Sequence, residues 1–206
     1  MAESPQKLKT EFEQFVKGKH PGFDFRPQQK EVVLDILSAY QEDPTGIYLL
    51  DAPTGSGKSV IAMLIADFLA FKGSRGYILA SDLSLHEQYV KDFRKMQLWN
   101  WGNIKGVDNY ECVVNHEKFS VGECKNKGTS YEAAESLPCF KQCGYLTSRK
   151  KAIKSPVALL TYPYALIQRN YVEQQQQNNG KGSPFPQRDF VVCDEAHKLL
   201  DIVQSH

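Results

Sequence analysis

Eight consecutive residues carry the clearest chemical pattern in the chain. They read Ala52-Pro53-Thr54-Gly55-Ser56-Gly57-Lys58-Ser59, which fits the phosphate-loop pattern with Ala in place of its first glycine. Glycines let consecutive backbone N–H groups face a phosphate, the ammonium of Lys58 can reach the terminal phosphates, and the hydroxyl of Ser59 can bind Mg²⁺. A chance glycine turn is the alternative, and the strand and helix patterns on either side favour a phosphate loop.

An acidic segment far downstream could complete a hydrolytic site. Asp194-Glu195-Ala196-His197 follows the apolar run at 190–193, as expected for carboxylates at the carboxyl end of a buried strand. Asp194 would bind Mg²⁺ through water, Glu195 would orient and deprotonate the attacking water, and His197 could link the γ-phosphate to a neighbouring domain. Such a pair alone is commonly a solvated strand end, but together with the phosphate loop it favours hydrolysis.

Four of the five cysteines are clustered. Cys112, Cys124, Cys139 and Cys143 lie in one stretch, and in a reducing compartment they predict a metal site rather than disulfides. Four thiolates bind zinc as well as iron–sulfur clusters, and the spacing does not distinguish the two. On spacing alone zinc is favoured, with unligated buried thiols as a further alternative. Cys193 is predicted to belong to the core.

Alternating strand and helix patterns surround these groups and predict an α/β fold with a parallel sheet. Predicted helices cover residues 7–17, 28–40, 58–71 and 84–96, the last capped by Ser84. The helix at 7–17 would place Leu8, Phe12, Phe15 and Val16 on one face. Predicted buried strands cover residues 46–52, 76–81, 156–162 and 189–196.

Two segments interrupt this alternation and suggest the domain organisation. Residues 97–150 form an inserted module that holds the four clustered cysteines, and residues 173–184 are a polar surface loop. The expected arrangement is a first part of a motor domain at 1–96, the cysteine module at 97–150, and a continuation of the motor domain at 151–206.

Composition excludes few functions. The chain has 206 residues, 41% of them hydrophobic, with 25 Lys plus Arg against 24 Asp plus Glu. Any surface for nucleic acid must therefore be a local patch. The start of the chain has no apolar core of signal-peptide length, and no stretch has the length of a membrane span, so we expect an intracellular protein, nuclear if eukaryotic, with no membrane partner.

The two nucleotide motifs together resemble those of superfamily 2 helicases of the DEAH-box type. The stretch Asp108-Asn109-Tyr110-Glu111-Cys112 is similar to the N-Y-x-C entry to the iron–sulfur module of the XPD and DinG helicases, and Pro138 to Cys143 adds to the likeness. Arg26-Pro27-Gln28-Gln29 resembles the adenine-side motif, with Gln29 in the glutamine position. Ala80 and Asp82 depart from the family, which usually has threonines facing the DNA backbone there.

This resemblance implies a RecA-like phosphate-loop NTPase domain that uses ATP and Mg²⁺. It also implies a [4Fe-4S] cluster on Cys112, Cys124, Cys139 and Cys143, and movement along single-stranded DNA or a forked duplex with 5′ to 3′ polarity. The family's later parts, including the second RecA-like motor domain with its arginines, have no counterpart here. We therefore expect an incomplete domain that needs the second one in trans or from a missing C-terminal part.

Two other functions remain open. One is a non-hydrolysing module that binds nucleotide or single-stranded DNA and regulates a partner, which the lack of a second motor domain favours and the intact Lys58 and Glu195 disfavour. The other is an unrelated phosphate-loop ATPase with a zinc knuckle, which the N-Y-x-C stretch disfavours.

Overall fold

The structure, a computed structural model, describes residues 4–53, 55–168 and 185–204. It divides into two compact units, residues 1–76 and 77–206. Within the described residues, no helix is long and apolar enough to cross a membrane. The predicted loop at 173–184 and the phosphate-loop residue Thr54 lie outside the described residues.

The first unit is built from three helices. They are α1 (Pro5–Lys19), α2 (Gln29–Glu42) and α3 (Lys58–Phe71). The predicted apolar face of α1 is confirmed: Leu8, Phe12, Phe15 and Val16 are its buried residues. The ring of Phe68 on α3 lies edge-on to Phe12 and Phe15, with centroids 5.4 and 5.3 Å away. Edge-to-face aromatic packing of this kind stabilises a helical core.

The second unit contains a four-stranded sheet with strands in the order β2-β3-β1-β4. The strands are β1 (Gly76–Ala80), which begins at the last residue of the first unit, β2 (Gly102–Asn103), β3 (Val157–Thr161) and β4 (Phe190–Cys193). β2 pairs in parallel with β3, as expected for an α/β fold. All five residues of β3 are buried, which is typical of a central strand covered on both faces.

Helices and short turns connect these strands. The longer helices are α4 (Leu83–Lys95) and α7 (Gly144–Lys154), with residues 162–168 also helical; the cysteine module between β2 and α7 holds the short helices α5 (Glu123–Asn126) and α6 (Tyr131–Ala134). Single 3₁₀ turns occur at Val107–Asn109, Phe119–Val121, Phe140–Gln142 and Ala196–Lys198, and a last helix covers Leu199–Gln204.

The predicted strand at 46–52 is not formed. Ile47 is 89% exposed and Leu49 is 87% exposed, whereas a central strand would bury both. A strand needs neighbouring strands to satisfy its backbone groups. The described residues of the first unit up to Arg75 contain helices and loops but no strand that could pair with this segment. The local pattern of apolar residues therefore did not determine the secondary structure of this segment.

Two smaller predictions are also wrong. The N-cap of α4 is Asp82, not Ser84, because the Asp82 carboxylate accepts a hydrogen bond from the backbone N–H of Leu85 at 2.9 Å. Cys193 is exposed rather than in the core. It ends β4, which lies at the edge of the sheet and alternates between covered and uncovered side chains, with Val191 exposed and Phe190 buried.

Candidate functional site

The phosphate loop has the backbone geometry that its glycines predict. Gly55 has a φ of 82° and Gly57, the N-cap of α3, has a φ of 89°. Both values lie in the left-handed region, where a side chain costs about 1–2 kcal/mol. The loop therefore turns directly into the N-terminus of α3, and the positive end of a helix dipole favours an anion there.

The segment resembling the adenine-side motif holds this loop from the side. The side-chain amide of Gln29 donates to the backbone oxygen of Ser56 at 3.1 Å, and its oxygen accepts from the backbone N–H of Arg26 at 2.9 Å. The guanidinium of Arg26 donates to the backbone oxygen of Gly55. Gln29 is buried, so its amide supports the loop, and an adenine contact by Gln29 stays a prediction.

Two side chains of the loop supply hydrogen-bond donors. The Lys58 ammonium donates to the backbone oxygen of Ala52 at 2.7 Å, so its positive charge lies against the loop backbone. The Ser56 hydroxyl is buried and has no hydrogen-bond partner among the residues that the structure describes. Buried polar groups are nearly always paired. An unpaired hydroxyl beside a cationic, donor-rich turn fits a phosphate oxygen as its partner.

The acidic segment belongs to the second unit and is held by contacts from distant parts of the chain. The hydroxyl of Tyr89 on α4 donates to Oδ2 of Asp194 at 2.7 Å, and the hydroxyl of Tyr162 donates to the Asp194 backbone oxygen at 3.1 Å. The Asp194 N–H donates to the backbone oxygen of Leu79 in β1 at 3.0 Å. Neither tyrosine was predicted as a site residue, because nothing in the local sequence relates it to Asp194.

Glu195 and His197 adopt a compact turn after Asp194. The Glu195 backbone has a φ of 55°, an uncommon conformation for a residue with a side chain. Its N–H donates to Oδ1 of Asp194 at 2.9 Å, and its carboxylate lies 3.4 Å from Nδ1 of His197. Strained backbone of this kind occurs often at functional sites. Carboxylate oxygens at partly exposed positions suit Mg²⁺, which prefers oxygen ligands.

The four clustered cysteines differ in burial. Cys112 and Cys143 are buried, and Cys124 and Cys139 are partly buried. Among the residues that the structure describes, no three His, Cys, Asp or Glu side chains are grouped closely enough to hold a metal. The inserted module and ligation by its cysteines therefore both stay predictions.

The surroundings of these thiols differ. Burial alone would raise the pKa of Cys112, but backbone N–H groups of residues 114, 115 and 123 together lower it below its ordinary value. Burial raises the pKa of Cys143, with Cys139 and Cys112 adding to the increase, and burial together with Cys143 raises that of Cys124. The thiols are thus near enough to influence one another, and metal binding would favour their thiolate forms.

A cavity of about 550 Å³ lies in the second unit, between the first turn of α4, the 3₁₀ turn at Val107–Asn109 and α7. The guanidinium of Arg149 lies 3.6 Å from the ring centroid of Tyr131. Arg149 is 6% exposed, and two of its nitrogens have no hydrogen-bond partner within the described ranges. A buried, incompletely paired cation beside aromatic rings favours an anionic or aromatic ligand.

The tyrosine hydroxyls that line this cavity are linked to each other. Tyr145 is 3.3 Å from Tyr131 and 3.1 Å from Tyr164, measured between hydroxyl oxygens. Burial raises the pKa of Tyr164 to about 12 and raises that of Tyr145 further. Both hydroxyls are therefore neutral near pH 7 and offer hydrogen bonds to a ligand.

The α/β fold with its parallel strands, together with the family match given next, fits a helicase-like domain of superfamily 2. Residues 22–202 match the family described as "Type III restriction enzyme, res subunit" (ResIII), and the chain belongs to this family.

Two curated proteins show more distant similarity. "ATP-dependent DNA helicase YoaA" of Escherichia coli (strain K12) is 24% identical over 186 residues, which cover 86% of this chain and 28% of that protein. "Probable ATP-dependent helicase MJ0942" of Methanocaldococcus jannaschii is 24% identical over 216 aligned positions, which cover 95% of this chain and 32% of that protein. The chain thus spans roughly a third of the length of these relatives.

Proposed function

We propose that this chain is an ATP-binding and ATP-hydrolysing motor domain of a DNA helicase. The observation that carries the proposal is the phosphate loop, where left-handed glycines, the Lys58 ammonium and the unpaired Ser56 hydroxyl meet at the start of α3. These are the groups that a nucleotide's phosphates require, and they occur in a chain of a helicase-related family.

The roles of the site residues follow from their chemistry. The loop from Ala52 to Ser59 would hold the phosphates, with Lys58 neutralising charge on the terminal ones. By the resemblance to superfamily 2 helicases alone, the Ser59 hydroxyl would bind Mg²⁺ and the Asp194 carboxylate would bind it through water. Glu195 would accept the proton of the attacking water, and His197 lies close enough to Glu195 to orient its carboxylate.

The proposed nucleic-acid partner is single-stranded DNA or the single-stranded arm of a fork. The cavity beside α7 supports this partner, because tyrosine rings can stack on bases while Arg149 binds a phosphate. One relative is named as a DNA helicase. Two parts of the proposal rest on the resemblance alone. They are movement from 5′ to 3′ and a second RecA-like motor domain that supplies arginines to the transferring phosphate.

ATP hydrolysis with and without single-stranded DNA tests the proposal. We expect Lys58→Ala to lose nucleotide binding, because it removes the ammonium. Glu195→Gln should keep nucleotide binding and lose turnover, since an amide cannot take a proton. Nucleotide binding is measured with a fluorescent ATP analogue, so the two variants can be compared even if turnover needs a second motor domain. Equal binding by wild type and Lys58→Ala would contradict a role for the loop.

We further propose that Cys112, Cys124, Cys139 and Cys143 hold a [4Fe-4S] cluster. Their thiols share one module and influence one another, and three backbone N–H groups face Cys112, as is usual around cluster sulfurs. Protein purified without oxygen should contain iron and acid-labile sulfide, and a Cys124→Ser variant should lose both. Zinc without labile sulfide would instead establish a zinc site.

A further inference from the structure

Tyr89 is buried and directs its hydroxyl at the carboxylate proposed to bind the metal. It is 0% exposed, and its hydroxyl oxygen is 2.7 Å from Oδ2 of Asp194. The two residues are separated by 105 positions in the chain. Hydrogen bonds to ionised carboxylates are short and about twice as strong as neutral ones, so this contact can hold the carboxylate at a fixed angle.

The backbone of Asp194 is held separately from its side chain. The sheet contact with Leu79 and the Tyr162 hydroxyl hold the backbone, whereas Tyr89 and the Glu195 N–H contact the two carboxylate oxygens. An ionised carboxylate can accept about four hydrogen bonds. A carboxylate held by donors in this way can also accept a hydrogen bond from a metal-bound water.

Aromatic packing fixes Tyr89 itself. Its ring lies edge-on to Phe93 with centroids 6.2 Å apart, and Phe93 lies edge-on to Trp101 at 4.9 Å. Both Phe93 and Trp101 are buried. The hydroxyl of Tyr89 is thus placed by a rigid core rather than by a mobile side chain.

The helix that carries Tyr89 contacts the acidic segment at a second point. Asp82, the N-cap of α4, forms an ion pair with Lys198 at 3.5 Å. Asp82 also lines the cavity beside Arg149.

We propose that Tyr89 is a positioning residue that orients the Asp194 carboxylate for binding of Mg²⁺. The proposal rests on the function proposed above, in which Asp194 holds the metal. It differs from a purely structural role for Tyr89 because it predicts a change in metal affinity at unchanged stability.

Manganese binding measures this effect without requiring turnover. Mn²⁺ is titrated by electron paramagnetic resonance into protein saturated with ADP, for wild type and for Tyr89→Phe. The Phe variant keeps the ring packing and loses only the hydroxyl. We expect its dissociation constant for Mn²⁺ to rise about tenfold, as is typical when a residue that orients a metal ligand is removed.

Two further variants make the result specific. Tyr162→Phe removes another hydroxyl, which contacts the backbone of Asp194 rather than its carboxylate, and its effect should be clearly smaller. Asp194→Asn removes the proposed ligand and should have the largest effect. Thermal unfolding of Tyr89→Phe should stay within a few degrees of wild type, since one partly solvated hydrogen bond is removed.

Each outcome has a separate meaning. If wild type binds no Mn²⁺ with nucleotide, or if Asp194→Asn binds it as wild type does, the proposed function fails and the inference with it. If Asp194→Asn loses Mn²⁺ while Tyr89→Phe stays within twofold of wild type, the inference alone is overturned. Equal losses in Tyr89→Phe and Tyr162→Phe would also overturn it, because a general loosening would explain them.

Discussion

The phosphate loop and the acidic segment differ in how their functional groups are held. The loop has a contact within its own eight residues, between Lys58 and Ala52 six positions apart, in addition to the longer-range support of Gln29, 27 positions from Ser56. The acidic segment is fixed by Tyr89 and Tyr162, which are 105 and 32 positions from Asp194. A locally held group can be recognised as a motif, whereas a group held from a distance depends on the packing of the whole unit.

Lowering the pH should destabilise the second unit, because it protonates His86. This residue lies on α4, the helix that carries Tyr89. Burial lowers the pKa of His86 to about 4 from an ordinary 6.5, with Lys105 adding to the shift and Glu87 opposing it. Above pH 6.5 the imidazole is neutral in both the folded and the unfolded state, and the protein has its full stability. Between pH 6.5 and 4 the unfolded state binds a proton that the folded state does not, so the free energy of unfolding decreases. The loss should reach about 3 kcal/mol.

Urea unfolding at several pH values, followed by tryptophan fluorescence, measures this loss. Both tryptophans, Trp99 and Trp101, lie in the second unit. A His86→Leu variant should show a weaker decrease below pH 6.5, while the matched change at the exposed His116, His116→Leu, should decrease as wild type does. A wild-type unfolding energy that is flat from pH 7 to 4 would contradict the prediction.

Gly57→Ala should damage the phosphate loop without long-range effects. The left-handed φ of 89° disfavours a side chain, and a Cβ would lie 2.2 Å from the side-chain nitrogen of Gln29. We expect nucleotide affinity to fall about 30-fold, corresponding to about 2 kcal/mol. Gly18→Ala is the matched control, since a Cβ there meets nothing within 4 Å. Unchanged binding by Gly57→Ala would show that the loop tolerates another geometry.

Removing the cap of α4 should have the smallest effect. Asp82→Ala loses the hydrogen bond to the Leu85 N–H and the ion pair with Lys198, and should cost about 1 kcal/mol of stability. The Leu85 N–H is the first reason that the pKa of Asp82 lies below its ordinary value. Ser84→Ala, at the cap position expected from sequence, should change the unfolding midpoint very little. A larger loss of stability for Ser84→Ala than for Asp82→Ala would show that Ser84 is the N-cap, as the sequence predicted.

Much of the helical structure could be predicted, because helix formation depends mainly on residues that are close together in the sequence. The helix at 58–71 matches α3 residue for residue, and the buried face of α1 is the predicted one. Helical periodicity and capping are properties of neighbouring residues. The segment at 46–52 shows the limit of this reasoning, because an apolar run specifies burial but not the partner that provides it.

The sequence by itself determined the glycine-rich turn before α3 and the position of Asp194 and Glu195 after β4, whereas the inserted cysteine module at 97–150 stays a prediction. The turn and the acidic pair are short runs whose chemistry depends on adjacent residues. Only the tertiary structure placed Tyr89 on the Asp194 carboxylate, Gln29 on the loop backbone, and Arg149 among the tyrosines of the cavity. Those contacts join residues far apart in the chain, and the packing of helices on the sheet decides them.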